Sequence, residues 1–179
     1  EDELRAPAVA RRVRLESAWS VTADDFVEQL ETFKPQVLHY SGHGNAQGEL
    51  VLRDPNLETS RPASVRSLRQ MFSGSPQLRC IVMNTCYSAR LAQQVVRHLP
   101  LVVVGMRGEV EDAYALLFAE HFYRGIARGK SLREAFDGAR GVVAGKGLDA
   151  ADLPQINAHG QVDPDEIVLL PREATPSTA

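Results

Sequence analysis

Three short apolar runs constrain this chain more than anything else in it: Val37-Leu38-His39-Tyr40, Ile81-Val82-Met83, and Leu101 to Met106. Each stops abruptly in a polar or glycine-containing tip, which is how a strand ends rather than a buried helix. The third is apolar without a break, the mark of a strand buried on both faces. Helical patterns fill the intervals. Phe26, Val27, Leu30 and Phe33 recur at helical spacing behind a Thr22 cap with Asp24 and Asp25 in the first turn, and Pro35 ends the run. Ser64 can cap a second helix carrying Val65, Leu68 and Phe72, and Ser88 opens a third with Leu91, Ala92, Val95, Val96 and Leu99. A fourth carries Ala115, Phe118, Ala119, Phe122 and Ile126 and closes at Gly129; the capping box Ser131-Leu132-Arg133-Glu134 opens a fifth. Strands alternating with helices predict an α/β fold with a mostly parallel sheet covered on both sides.

The remaining segments read less sharply. Val13 to Glu16 alternates like a half-exposed strand, the polar turn Asn45 to Gly48 precedes a short strand over Glu49 to Arg53, and 54 to 63 is loop by composition. Residues 1 to 10 mix charge and alanine around Pro7. Beyond Gly145 and Gly147 a loop-rich tail is predicted to end in a strand, Ile167 to Leu170. One domain over residues 1–171 with a mobile tail over 172–179 is expected. Trp19 and the phenylalanines and tyrosines at helical spacing are assigned to the core.

A chain of 179 residues can bury about 70% of the surface that its unfolded form exposes, enough for one core. Net charge is -3 and the one local basic cluster, Arg11-Arg12-Val13-Arg14, is short, so no direct nucleic-acid partner is expected. No apolar run approaches the ~20 residues needed to cross a bilayer, and the opening Glu-Asp-Glu is unlike a leader. A soluble, cytoplasmic protein is expected, with no membrane partner. Cys80 and Cys86 lie on one short extended segment, which spans roughly 20 Å, so they should not bridge each other.

The chemistry-bearing residues fall at strand tips. Ile81 to Met83 runs into Asn84-Thr85-Cys86, directly before the helix opening at Ser88, and Val37 to Tyr40 runs into Ser41-Gly42-His43-Gly44. If the two strands are parallel neighbours, thiol and imidazole share the carboxyl edge of the sheet, where reaction sites of open α/β folds lie. A thiol is nucleophilic only as thiolate, and an imidazole or a helix N-terminus nearby favours that form. The backbone N–H groups of Cys86 and Gly44 could donate to a developing oxyanion, with Gly42 and Gly44 allowing close approach of a substrate. His43 and Cys86 are therefore read as base and nucleophile for acyl transfer through a thioester.

These residues also carry a resemblance. Val37-Leu38-His39-Tyr40-Ser41-Gly42-His43-Gly44, Val82-Met83-Asn84-Thr85-Cys86-Tyr87-Ser88-Ala89, Val104-Gly105-Met106 with Asp112 and Phe118, then Phe122-Tyr123 and Gly129-Lys130-Ser131, resemble the CHAT domain. That is a caspase-like (clan CD) cysteine peptidase family common in bacteria. The resemblance runs from about Val13 to Ala144. It implies a three-layer caspase-like sandwich, His43 and Cys86 as catalytic dyad, Gly44 and Cys86 amides as oxyanion hole, and neither metal nor cofactor. It further implies a protein substrate, a regulatory partner or upstream sensor module, and a role in bacterial defence or regulated death. Family members usually begin with a strand and helix before the position of Val13, so the expected sheet can lack its first strand.

Some relatives place an aspartate two residues before the cysteine to hold a basic P1 side chain; here that position is Asn84. Glu109, Glu111 and Asp112 could supply the carboxylate instead, pairing with a P1 guanidinium, or could be first-turn acids favoured by the helix dipole. His39 is expected to be packed or paired, and His98 and His121 to lie on helix surfaces. The competing reading is a catalytically silent interaction module that keeps the fold. A flavodoxin-like nucleotide or receiver domain would need a phosphate loop or an acidic cluster at the strand tips, and the sequence has neither.

Overall fold

The computed structural model describes residues 12–42, 49–54, 56, 60–146 and 152–171. His43, Gly44, the turn Asn45 to Gly48, the segment before Arg12 and the tail 172–179 lie outside the described residues. The order of elements is α1 (Ala23–Phe33), β1 (Val37–Ser41), β2 (Leu50–Arg53), β3 (Ser60–Ala63), α2 (Val65–Ser73), β4 (Cys80–Asn84), α3 (Ala89–Val96), β5 (Val102–Met106), α4 (Asp112–Ala127), α5 (Leu132–Gly145) and β6 (Pro154–Ala158). The main sheet has the order β1-β4-β5-β6, and β2 and β3 form a separate hairpin.

β1, β4 and β5 are parallel, and β6 runs antiparallel to β5. The sheet is thus mostly parallel, and helices cover both faces. On one side Phe26 and Leu30 of α1, Leu68 and Phe72 of α2, and Leu91, Val95 and Val96 of α3 pack on Ile81, Met83 and Val103. On the other, Phe118, Phe122 and Ile126 of α4 and Leu132, Phe136 and Val143 of α5 pack on Cys80, Val82, Val102, Val104 and Met106. Alternate residues of β4 and β5 feed opposite cores. That is why their side chains are apolar without alternation: no face of either strand meets water, and each fully buried side chain contributes about 1.5–3 kcal/mol.

Helix starts follow the caps in the sequence. Thr22 and Asp25 form a reciprocal capping box, as do Ser131 and Glu134. The first N–H groups of α5 also find carbonyls in the tail, Leu132 N–H donating to Ile167 O (2.9 Å) and Arg133 N–H to Pro164 O (3.2 Å).

Four local expectations are corrected. Val13 to Glu16 forms no strand. Residues 60–63, read as loop, are β3, paired antiparallel with β2. Ser-Arg-Pro-Ala has no apolar alternation because only Ala63 is buried, and Pro62 is tolerated because the hairpin edge needs no further donor. The C-terminal strand is Pro154–Ala158 rather than Ile167–Leu170, where Ile167, Leu169 and Leu170 cover the second core without joining a ladder. Trp19, assigned to the core, is 87% exposed. It precedes Ser20, whose φ of 52° turns the chain before it enters α1.

Candidate active site

The thiol of Cys86 is reached by building outward from β4. Parallel pairing of β1 with β4 sets Ser41 opposite Asn84, so both strands end at one edge, with Gly42 leading on from one and Thr85-Cys86 from the other. The chain then has four residues, Thr85 to Ser88, in which to turn from strand to α3. Tyr87 takes the bend with φ = 59°, a left-handed conformation that costs a bulky aromatic about 1–3 kcal/mol.

That strain is held by Ser88, which is fully buried. Its hydroxyl lies 2.9 Å from Met83 O and 2.8 Å from Thr85 O, to which it donates, and accepts from Met106 N–H at 2.9 Å. One side chain therefore ties the end of β4, the turn and the end of β5 together. Gly105 makes the approach possible: a Cβ there would stand 2.9 Å from the backbone of Ser88 and Ala89. The roles of Ser88, Gly105 and Tyr87 were not legible in the sequence, since each depends on the neighbouring strand; the small residue in an otherwise bulky β5 was the available signal.

The β5–α4 loop closes over the turn. Tyr87 N–H donates to Gly108 O (3.1 Å), the Cys86 Sγ lies 4.0 Å from Val110 O, and the Tyr87 hydroxyl donates to Glu109 Oε1 (3.4 Å). The Glu109 carboxylate beside it holds the Tyr87 phenol above its ordinary pKa, with smaller contributions from burial and from Cys86. From the far side Arg107 N–H donates to Leu153 O at 2.7 Å, so the loop is fixed at both margins.

The sequence-predicted acids separate here. Glu109 is brought against the cysteine turn, whereas Glu111 is the N-cap of α4 and Asp112 its first residue, exposed acids at a helix start. Asn84 is half-buried at the tip of β4. Its Oδ1 and the Thr85 hydroxyl are buried without a hydrogen-bond partner among the described residues. Such orphaned groups cost about 1–3 kcal/mol each, and both stand within two residues of the thiol.

β1 is braced toward the same edge. The Tyr40 hydroxyl donates to Val51 O (2.8 Å) and accepts from Val51 N–H (3.2 Å), which fastens the β2–β3 hairpin to β1; burial raises its pKa. At the end of β2 the buried Asp54 pairs with Arg61 of β3 and accepts from Asn56 N–H at 2.9 Å. His39 Nδ1 lies 2.8 Å from the Tyr123 hydroxyl, so it is paired, as expected of it. Burial holds the Tyr123 phenol well above its ordinary range. Cys80 and Cys86 are both free thiols. Among the described residues no three His, Cys, Asp or Glu side chains gather as metal ligands, and no helix is long and apolar enough to cross a membrane.

The family model for the CHAT domain matches residues 2–159. The chain belongs to the CHAT domain family. A relative described as a probable protease, from Gillisia limnaea (strain DSM 15749 / LMG 21470 / R-8282), is 27% identical over 130 residues, which cover 70% of this chain and 23% of the relative. The chain thus spans under a quarter of that relative's length. Among solved structures, a secreted C11 cysteine protease from Bacteroides thetaiotaomicron, in complex with an irreversible peptide inhibitor, superposes with a TM-score of 0.52 at 11% identity. The match covers 79% of this CHAT domain and 46% of the protease chain, and it establishes a caspase-like fold.

Proposed function

We propose that this CHAT domain is a cysteine endopeptidase in which Cys86 attacks the scissile carbonyl and His43 acts as base. The observation that carries this reading is the placement of Cys86. It is a partly exposed thiol on a strained strand-to-helix turn, at the edge where the parallel strand leading to His43 also ends. The likeness to a named probable protease and the cysteine-protease fold support it.

The steps use only this chain's groups. The imidazole of His43 takes the thiol proton, the thiolate adds to the carbonyl carbon, and the N–H groups of Cys86 and Gly44 donate to the oxyanion. His43 then returns the proton to the leaving amine as the carbon–nitrogen bond breaks, and water hydrolyses the thioester.

Glu109, held against the turn, is the leading carboxylate for a basic P1 side chain, with Asn84 lining the same subsite and Asp112 further out. Its support is the contact with Tyr87, and that of Asn84 is its orphaned Oδ1 at the tip of β4, two residues before the cysteine. A regulatory partner or sensor module and a role in bacterial defence or regulated death complete the proposal. Cleavage of a peptide library by the wild type beside Cys86→Ala, read by mass spectrometry, tests it. Products that vanish in the variant and end in Arg or Lys are expected; identical patterns, or no products from the wild type, favour the silent interaction module.

A further inference from the structure

The net charge of -3 averages over a strongly uneven chain. Residues 60–108 hold seven of its 20 basic residues, all arginine, and none of its 23 acidic ones. That stretch carries +7 against -10 for the remainder. All seven arginines are exposed.

Four of them fall on two adjacent helices. α2 buries Leu68 and Phe72 and turns Arg66, Arg69 and Ser73 outward; α3 buries Leu91, Ala92, Val95 and Val96 and turns Arg90, Gln93 and, at its end, Arg97 outward. Spacings of three, four and seven residues put each set on one helical stripe. The helices pack side by side on one face of the sheet. Both run back from the carboxyl edge, since α2 leads into the start of β4 and α3 leaves its end. At ~1.5 Å per residue Arg90 and Arg97 stand about 10 Å apart along the axis, similar to the distance between neighbouring helices. Arg66, Arg69, Arg90 and Arg97 make no ion pair among the described residues. An acidic residue flanks the stripe from α1, where Glu31 shares a surface groove with Gln70 and Met71.

We propose that the outward faces of α2 and α3 form a docking surface for the phosphate backbone of a nucleic acid. Charge complementarity requires a polyanion, and two observations choose between polyanions. Protein interfaces are anchored on apolar or aromatic side chains, but the exposed large apolar residues, Leu15, Trp19, Tyr87, Leu116 and Val168, all lie off these two helices. What accompanies the arginines is amide, hydroxyl and imidazole: Gln70, Ser73, Gln93 and His98, the donors that phosphate contacts use. Arginine throughout, with no lysine, suits the bidentate geometry of phosphate oxygens. With no exposed aromatic ring on either helix to stack on bases, binding is by backbone charge and indifferent to sequence.

The test is fluorescence anisotropy of the intact chain with a labelled ~20-base-pair DNA duplex and a single-stranded RNA of similar length. With four phosphates neutralised, duplex affinity should fall about 100-fold between ~50 and ~200 mM salt. Arg66→Gln, Arg69→Gln, Arg90→Gln and Arg97→Gln together should weaken binding at least ~10-fold at the lower salt and flatten the salt dependence. Arg133→Gln with Arg140→Gln, on the opposite layer, should leave both unchanged. Circular dichroism and the alkylation rate of Cys86 confirm folding of the fourfold variant, whose changes are all at exposed positions. Absence of binding by either nucleic acid at ~0.1 mM protein and low salt overturns the proposal. So does equal loss in the two variants, or binding of a polyglutamate peptide in preference to both nucleic acids.

Discussion

Cys80 and Cys86 stand at the two ends of β4 and its exit, six residues apart, and the chain treats them in opposite ways. Cys80 lies at the amino edge inside the α4/α5 core, wholly buried, and burial pushes its thiol up to about 12. Cys86 lies at the carboxyl edge, partly open to solvent, on a turn bent through a left-handed tyrosine and fixed by a buried serine. The amino end is built for packing, with Cys80 set among buried apolar side chains of α4, α5 and the neighbouring strands. The carboxyl end carries strain and two orphaned polar atoms that packing alone would not select. Cost concentrated at one end of a strand marks the end that acts on something else.

The contrast breaks first under exchange of the thiols. Cys86→Ala should abolish peptide cleavage, by at least ~10⁴-fold, while moving the urea midpoint little. Cys80→Ala should leave cleavage intact and destabilise by about 1–2 kcal/mol through lost packing.

Alkali sharpens it next. The native Cys80 thiol stays protonated where the unfolded one ionises, so the native state binds more protons and stability falls as pH rises. The stabilisation is fully present below about pH 9 and is lost between there and about 12, at up to ~1.4 kcal/mol per pH unit for one proton. Tyr123, raised for the same reason, acts in the same direction. Urea unfolding at a series of alkaline pH values should show a shallower slope for Cys80→Ala than for the wild type.

The turn is the third target. Gly105→Ala drives a methyl into the Ser88 backbone and should cost about 1–3 kcal/mol. Ser88→Ala strands the buried Met106 N–H and should cost a similar ~1–3 kcal/mol. Both should change the alkylation rate of Cys86 in the folded protein, measured by intact mass, without exposing Cys80. Smallest is Tyr87→Gly, which relieves the left-handed strain. It should be neutral or up to ~1 kcal/mol stabilising in thermal unfolding, yet lower cleavage by loosening Glu109.

The same contrast explains what the sequence discloses. β4 and β5 were legible because strands buried on both faces must be apolar, β1 because a short apolar run stops there in a polar, glycine-containing tip, and the Ser131–Glu134 box because a cap is local chemistry. The prediction of a mostly parallel, doubly covered sheet followed from their alternation with helices. β3 and β6 were not legible: both sit at edges, where Pro62, Gln155 and Asn157 are tolerated and the period-two signal fades. Trp19 misled because an aromatic beside a helix start ordinarily packs. Cys86 could be singled out as a strand-end thiol, but the devices that hold it could not. Ser88 and Gly105 lie 17 residues apart and meet only once β4 and β5 are paired.

The central claim is that Cys86 alone of the two thiols is a nucleophile activated by His43. Labelling with a peptidyl acyloxymethyl ketone, followed by peptide mapping, tests it most directly. The account predicts one label per chain, on Cys86, at a rate that collapses in His43→Ala while Cys80 stays unmodified until the protein is unfolded. Labelling that is as fast without His43, or that falls on Cys80 in the native protein, would contradict it.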